Sequence, residues 1–169
     1  IMTMQTDVLS AHLNVSGQLV AYRCRLKGII SMGTATAGTV NVWDTTTAPV
    51  SVTYGRSGTT VTVTHNAHGF STGQAVGLTF GADGSSRAAT NGNYIITVVN
   101  ANTYTVTDIN SGTVSTGTAA SEGTRWMMSV DTNTASDVTT LLIPGEGILA
   151  TTGIYAQLAN QTGLTVFYG

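Results

Sequence analysis

Two histidines three residues apart, His65 and His68, a single cysteine, Cys24, and the aspartates Asp83, Asp108, Asp131 and Asp137 are the residues of this chain whose types could do chemistry. Zinc needs three or four ligands. No Cys, Asp or Glu stands near the histidine pair, and the third histidine, His12, is distant in sequence. On an extended chain a spacing of three also puts the two rings on opposite faces. The pair therefore reads as structure, with His68 in a turn and its ring hydrogen-bonded to the neighbouring loop, and no metal is expected. A lone cysteine excludes an internal disulfide and a thiolate metal cluster. Cys24 sits in "QLVAYRCRLKGIISMG", where Val20, Tyr22, Cys24, Leu26 and Ile30 alternate with Ala21, Arg23, Arg25 and Lys27. That is the period of a strand with one buried face, and a thiol on such a face has a raised pKa and is inert.

The aspartates read as turn residues whose carboxylates cap backbone amides, Asp83, Asp108 and Asp131 standing beside Gly or Thr and Asp137 beside Ser, and no pair of them has the spacing that specifies a glycosidase. "DGSS" at 83 to 86 and "DTNTASD" at 131 to 137 lack the alternating acidic pattern of a calcium loop. Asn14-Val15-Ser16 and Asn160-Gln161-Thr162 match a glycosylation sequon, which carries meaning only on a secretory route. There is no nucleophile elbow, phosphate loop or dinucleotide fingerprint. The chain is expected not to be an enzyme and to need no cofactor.

The elements that carry these residues are strands. "GTVNVWD", "TTVTVTH", "QAVGLTF", "NYIITVV", "NTYTVTD", "RWMMSV", "VTTLLI", "GIYAQLA" and "GLTVFYG" are rich in β-branched and aromatic residues. Short strands at this spacing imply a sandwich or barrel. Asn91-Gly92, Ser111-Gly112 and "NAN" at 100 to 102 are turn signals. Residues 6 to 14, "TDVLSAHLN", show a weak helical spacing too short to stand alone.

Of the 169 residues only 8% are charged, against about 25% in an average protein, so hydroxyls supply the surface polarity. Six Lys and Arg against eight Asp and Glu leave no basic stripe, and nucleic acid is not an expected partner. No apolar run has the roughly 20 residues that span a bilayer, and "IMTMQTDVLSAHLN" lacks a charged n-region before an apolar stretch. A soluble protein without an export signal or membrane contact is expected.

Residues 55 to 122 are extreme in Thr, Ser, Gly, Asn and Ala, whereas the flanks hold both tryptophans, all five methionines and both prolines. The shift predicts a discontinuous outer domain, 1 to 54 plus 123 to 169, opened at a hairpin to take an inserted β module, 55 to 122. The expected fold is all-β: a jelly-roll-like β-sandwich with an inserted small β-barrel or sandwich.

Within the insert, a Thr/Val strand is followed by His68-Gly69, by Gly73 before a second strand, by Asn91-Gly92-Asn93-Tyr94 and by Asn102-Thr103-Tyr104-Thr105-Val106. This pattern, about 60 residues long, resembles the small β modules of tailed-bacteriophage structural proteins that are labelled as similar to the first catalytic cysteine half-domain of ubiquitin-activating enzymes. No ubiquitin-activating site is implied, since the one cysteine lies outside the module. The flanks, with "RLKGI", "AGTVNVWD", "IPGEGI" and "LTVFYG", are similar to small phage virion proteins of β-sandwich type.

The resemblance implies a virion structural protein, assembled in the host bacterial cytoplasm. It would decorate the head as an accessory protein or serve as a tail or fibre component. The implied partners are further copies of itself, as a homo-oligomer such as a trimer, and other virion proteins such as the major capsid protein, with a host-surface glycan as a further candidate. The expected assembly surface comprises Arg23, Arg25 and Lys27, projecting from the exposed face of their strand, and Phe167 and Tyr168 in the C-terminal hairpin. The expected module turns comprise His68, Gly69, Gly73, Asn91 and Gly92.

Overall fold

The computed structural model describes residues 8–81, 88–133 and 136–169. These residues form fourteen strands and no helix: β1 (Leu9–Leu13), β2 (Gly17–Val20), β3 (Cys24–Gly33), β4 (Gly38–Asp44), β5 (Val50–Thr64), β6 (Ala75–Phe80) and β7 (Gly92–Ile95), then β8 (Thr97–Asn100), β9 (Thr103–Glu122), β10 (Arg125–Thr132), β11 (Val138–Leu142), β12 (Ile148–Ala150), β13 (Ile154–Ala159) and β14 (Gln161–Tyr168). The pairings of β1 with β14, of β3 with β11, β12 and β14, of β13 with β2 and β4, of β9 with β5, β6 and β8, and of β6 with β7 are antiparallel. The segment with a weak helical spacing is β1, paired residue for residue with β14 from Leu9 opposite Tyr168 to Leu13 opposite Leu164. The long-range ladder overrides a local propensity too short to hold. The chain divides into two compact units, one ending at Ala48 and resuming at Met127, the other Pro49–Trp126.

The discontinuous unit is a β-sandwich. One sheet has the order β1-β14-β3-β11, with β12 also on β3, and the other β10-β4-β13-β2. Val20, Val40, Val42, Ile154 and Ala156 from the second sheet share a core with Cys24, Leu26, Ile29, Leu164 and Val166 from the first. The stretch around Cys24 is two strands, not one, because a bend at residues 21–23 separates β2 from β3 and leaves Tyr22 exposed. Within β3 the buried phase changes. Phe167 pairs with Gly28 and Tyr168 with Leu26, so Lys27 is an extra residue, a bulge that buries Cys24 and Leu26 before it and Ile29 and Ser31 after it. Ile30, expected inside, lies on the other face. The C-terminal segment is also not a hairpin, since β13 pairs with β4 and β2 while β14 pairs with β1 and β3. The chain steps from one sheet to the other at Asn160, which has φ of 54°.

The second unit is built on one long ribbon. β5 and β9 pair from Val50 opposite Ser121 to Thr64 opposite Thr103. Between the pairs Gly58–Gly112 and Thr60–Thr107, β5 advances two residues and β9 five. Ser111-Gly112, read as a turn, therefore lies inside β9 at this irregularity. The positive φ of 64° falls on Gly58 instead. The two halves of the ribbon share one core: Val52, Tyr54, Val114 and Ala119 from one half pack with Val61, Val63, Tyr104 and Val106 from the other. β6 pairs with β9 and β7, and β8 with β9. β7 and β8, read as one strand, separate at buried Ile96, whose N–H donates to the Gln74 carbonyl at 3.0 Å.

Candidate assembly surface

Register decides which side chains stand together on the outer face of the β1-β14-β3-β11 sheet. Leu164, Val166, Ile29 and Leu26 fix the inner face. Alternation then puts Thr165 and Phe167 of β14, Gly28, Ile30 and Met32 of β3, and Val138, Thr140 and Leu142 of β11 on the outer one. Phe167 pairs with Gly28, and Gly28 with Leu142, so the glycine leaves a gap between two large side chains. Leu142 leans over it, its Cδ2 lying 3.3 Å from where a Cβ on Gly28 would be. One rung on, Ile30 pairs with Thr140, and Met32 pairs with Val138 at the far end. Met32, Val138 and Leu142 are 50%, 56% and 75% exposed.

The cations border this stripe. Arg25 stands on the outer face of β3, where its Nε is 3.7 Å from Oε2 of Glu146, and Nζ of Lys27 donates to the Glu146 carbonyl at 2.9 Å. Both side chains thus hold the Pro144–Gly147 loop against the strand. Arg23 is exposed but lies in the bend before β3, off the strand. Phe167 and Tyr168, expected in one surface, are neighbours on a strand and face opposite ways. Phe167 joins the outer stripe, whereas Tyr168 packs against the core with its ring edge-on to Tyr22 at 6.3 Å.

The histidine pair and its turn are held by the protein's own hydrogen bonds. The turn at Asn66 and Ala67, where Ala67 has φ of 51°, brings His65 and His68 to the same side with ring centroids 6.1 Å apart. The opposite-face expectation failed because the chain stops being extended after Thr64. His65 is buried, with Nδ1 3.2 Å from the Ser121 hydroxyl, which in turn lies 2.7 Å from that of Tyr104. Burial, then the nearby His68, pushes the His65 pKa down. Burial likewise pushes Tyr104 up to about 12 against the opposing bond from Ser121. Nδ1 of His68 accepts from the Phe70 N–H at 2.9 Å, which leaves Nε2 to donate to the Asn100 carbonyl at 3.0 Å. Gly69 and Gly73 have φ of 67° and 90°. Asn91 accepts from the Phe80 N–H through Oδ1 at 2.8 Å, while Gly92 opens β7 opposite Leu78. Cys24 is buried, its pKa raised by burial first and then by the charge of Asp44. Among the described residues no three of His, Cys, Asp and Glu come together as a metal site. Asp83 and the "DGSS" segment lie outside the described residues. So do residues 134–135 of "DTNTASD", whose Asp131 accepts from the Thr39 hydroxyl at 3.0 Å.

Two carboxylates that sequence reasoning passed over or placed in a turn are buried. Asp44, at the end of β4, accepts from the N–H groups of Thr151, Thr152 and Gly153 and from the Thr151 hydroxyl. Asp108, on β9, forms an ion pair at 3.0 Å with Nη2 of Arg56, both side chains 0% exposed. It also accepts from the N–H groups of Thr90 and Asn110. Arg56 donates in addition to the carbonyls of Gly58, Ala88 and Asn110. No sequence signal marked the pair, because Arg56 stands in a glycine- and serine-rich run that reads as a surface turn.

No family model matches the chain, and no curated protein or solved structure is similar enough to it to be matched.

Proposed function

We propose that this chain is a non-enzymatic structural protein of a tailed-bacteriophage virion, a decoration protein that binds the major capsid protein through the outer face of the β1-β14-β3-β11 sheet. The observation that carries the reading is the apolar stripe of Phe167, Ile30, Met32, Val138 and Leu142 on that face, bordered by the Arg25, Lys27 and Glu146 contacts. A water-facing sheet ordinarily shows polar residues on its free side. Contiguous apolar side chains with a polar border mark a surface that another molecule covers. The resemblance of the module and flanks to phage virion proteins supplies the identity of that molecule.

The size of the face sets how it would work. Four strands about 4.8 Å apart and a few residues at about 3.4 Å each give roughly 300 Å². A standard interface buries about 800 Å² per partner, so a single face binds weakly and a lattice of many copies is what holds.

Labelled chain mixed with particles of the phage that encodes it, imaged by electron microscopy, should appear as regular density on the head. The double variant Met32→Glu, Leu142→Glu should lose that density while its circular dichroism stays that of the parent, because both side chains are already in water. Density on the tail would overturn the head assignment. Absence of binding, or binding that survives the double variant, would overturn the assembly face.

A further inference from the structure

The longest edge strand of the protein is also one without an exposed charge. β5 stands at the end of its sheet and pairs with β9 alone, so among the described residues its other side has no strand partner over fifteen residues. Natural proteins blunt such edges with lysines, inward-pointing charges or brevity. β10, another edge, carries Arg125 and Asp131, and β7 and β8 are four residues each. Along β5 the sole charged side chain is Arg56, and it is fully buried against Asp108.

The sequence of the regular part of this edge says what would pair with it. Between the irregularity at Gly58/Thr60 and the turn after Thr64, residues 60 to 64 read Thr-Val-Thr-Val-Thr. This is a palindrome. Val61 and Val63 point into the core and the three threonines are exposed. We infer that β5 pairs with β5 of a second copy of this chain, antiparallel about a twofold axis through Thr62. In that register Thr60 meets Thr64 of the other copy, Val61 meets Val63, and Thr62 meets itself. Every threonine faces a threonine, a cross-strand pair that hydrogen-bonds well, and every valine faces a valine. A charge on the axis would meet its own copy, and a strand of one sign would meet like charges along its length. This one has none to meet, and an isologous contact closes on itself without growing into a fibre. The contact uses residues of the Pro49–Trp126 unit alone. A twofold edge contact also gives a dimer, not the trimer that the resemblance suggests.

The test is a cross-link that only the twofold register allows. Residues directly opposite in an antiparallel pair have Cα atoms about 4.5 or 5.5 Å apart, within the range a disulfide spans. Thr62→Cys should therefore form a disulfide-linked dimer under mild oxidation. Thr60→Cys should not link to itself, but should link to a chain carrying Thr64→Cys when the two are mixed. The native Cys24 is buried and serves as the unreactive background. The unmodified chain should scatter light as a species of twice the chain mass. Thr62→Lys, which sets two ammonium groups face to face, should return it to a monomer with unchanged circular dichroism. A monomer or a trimer for the unmodified chain would overturn the inference. So would self-linking of Thr60→Cys as fast as that of Thr62→Cys, and that second reading holds even where Thr62→Lys fails to fold.

Discussion

Replacing Arg56 by Met should unfold the second unit far more readily while leaving the sandwich alone, because the guanidinium holds together segments distant in sequence. It donates to the carbonyls of Gly58, Ala88 and Asn110 as well as to the carboxylate of Asp108. Methionine fills much of the same space and supplies no donor, so a buried carboxylate loses its counter-charge and three carbonyls lose a partner. Breaking one side of a buried pair in this way costs about 3–5 kcal/mol. In a unit of this size each kcal/mol lowers the midpoint by about 4–8 °C, so a fall of more than about 12 °C is expected. Asp108→Asn keeps the shape but turns an amide donor toward the Thr90 or Asn110 N–H, and should cost about 2–3 kcal/mol. The two losses should not add, the double variant falling short of the sum by more than about 1 kcal/mol. Urea titration with amide exchange read at Val61, Val63 and Tyr104 against Val40, Val42 and Val166 separates the two units. Burial raises the Asp108 pKa, but bonds from the Thr90 backbone and side chain and the Asn110 backbone, with the Arg56 charge, outweigh it and hold the carboxyl below its ordinary range. Its stabilisation is thus present above the unfolded value, about 3.9, and is lost as pH falls through the lower folded value. Asp108→Asn should remove that part of the acid sensitivity. A loss below about 1 kcal/mol for Arg56→Met, or simple additivity, would refute the account.

Asp44→Asn should destabilise the sandwich by about 3 kcal/mol, since an amide cannot accept all the bonds from Thr151, Thr152 and Gly153. The Asp44 carboxyl is raised by burial and lowered by more through these bonds, so its contribution should fade as pH falls below the ordinary aspartate range, measured by thermal melts across acid pH. Gly147→Ala should cost more than Gly145→Ala in urea titration. Both have positive φ, but a Cβ at 147 would stand 2.3 Å from the Leu26 carbonyl oxygen whereas at 145 it meets nothing within 4 Å. The second should lose only about 1 kcal/mol to backbone strain. Replacing residues 51 to 124 by a Gly-Ser linker should leave a sandwich that melts cooperatively, because Val50 and Ser121 are paired and the ends of the unit lie side by side. Loss of a cooperative melt would show that the two units share one core.

The strands themselves were legible wherever alternation ran unbroken. "GTVNVWD" is β4 at both ends, with Val40 and Val42 inside as the period requires. What alternation cannot carry is a change of phase. The bulge at Lys27 exchanges Ile30 for Ile29 in the core, and nothing local in "RLKGII" says which residue the partner strand will skip. Turn residues mislead in the same way. Ser111-Gly112 has turn chemistry but sits where a ribbon changes register, and Asn160 ends β13 in a step between sheets with the same left-handed backbone a hairpin would use. The histidines were misplaced by assuming an extended chain through a turn. The Arg56–Asp108 pair was illegible because its partners meet only through tertiary structure. The outer stripe left one trace, the adjacent Leu141 and Leu142 of β11, which put an apolar side chain on each face of that strand.

The pairing of β1 with β14 governs how the protein is made as well as how it stands. Every ladder of the Pro49–Trp126 unit closes within that segment, so it can fold as soon as it leaves the ribosome. The sandwich has no such freedom. β1 and the central flank of β3 wait for β14, and β2 and β4 wait for β13, all of which are synthesised after the other unit. During that interval the apolar strands of residues 9 to 44 are unpaired while a finished domain hangs behind them. The low charge of the chain then offers little protection against premature contact between nascent chains. Slowing translation between β11 and β14 should therefore lower the yield of soluble protein more than slowing it anywhere within β5 to β9.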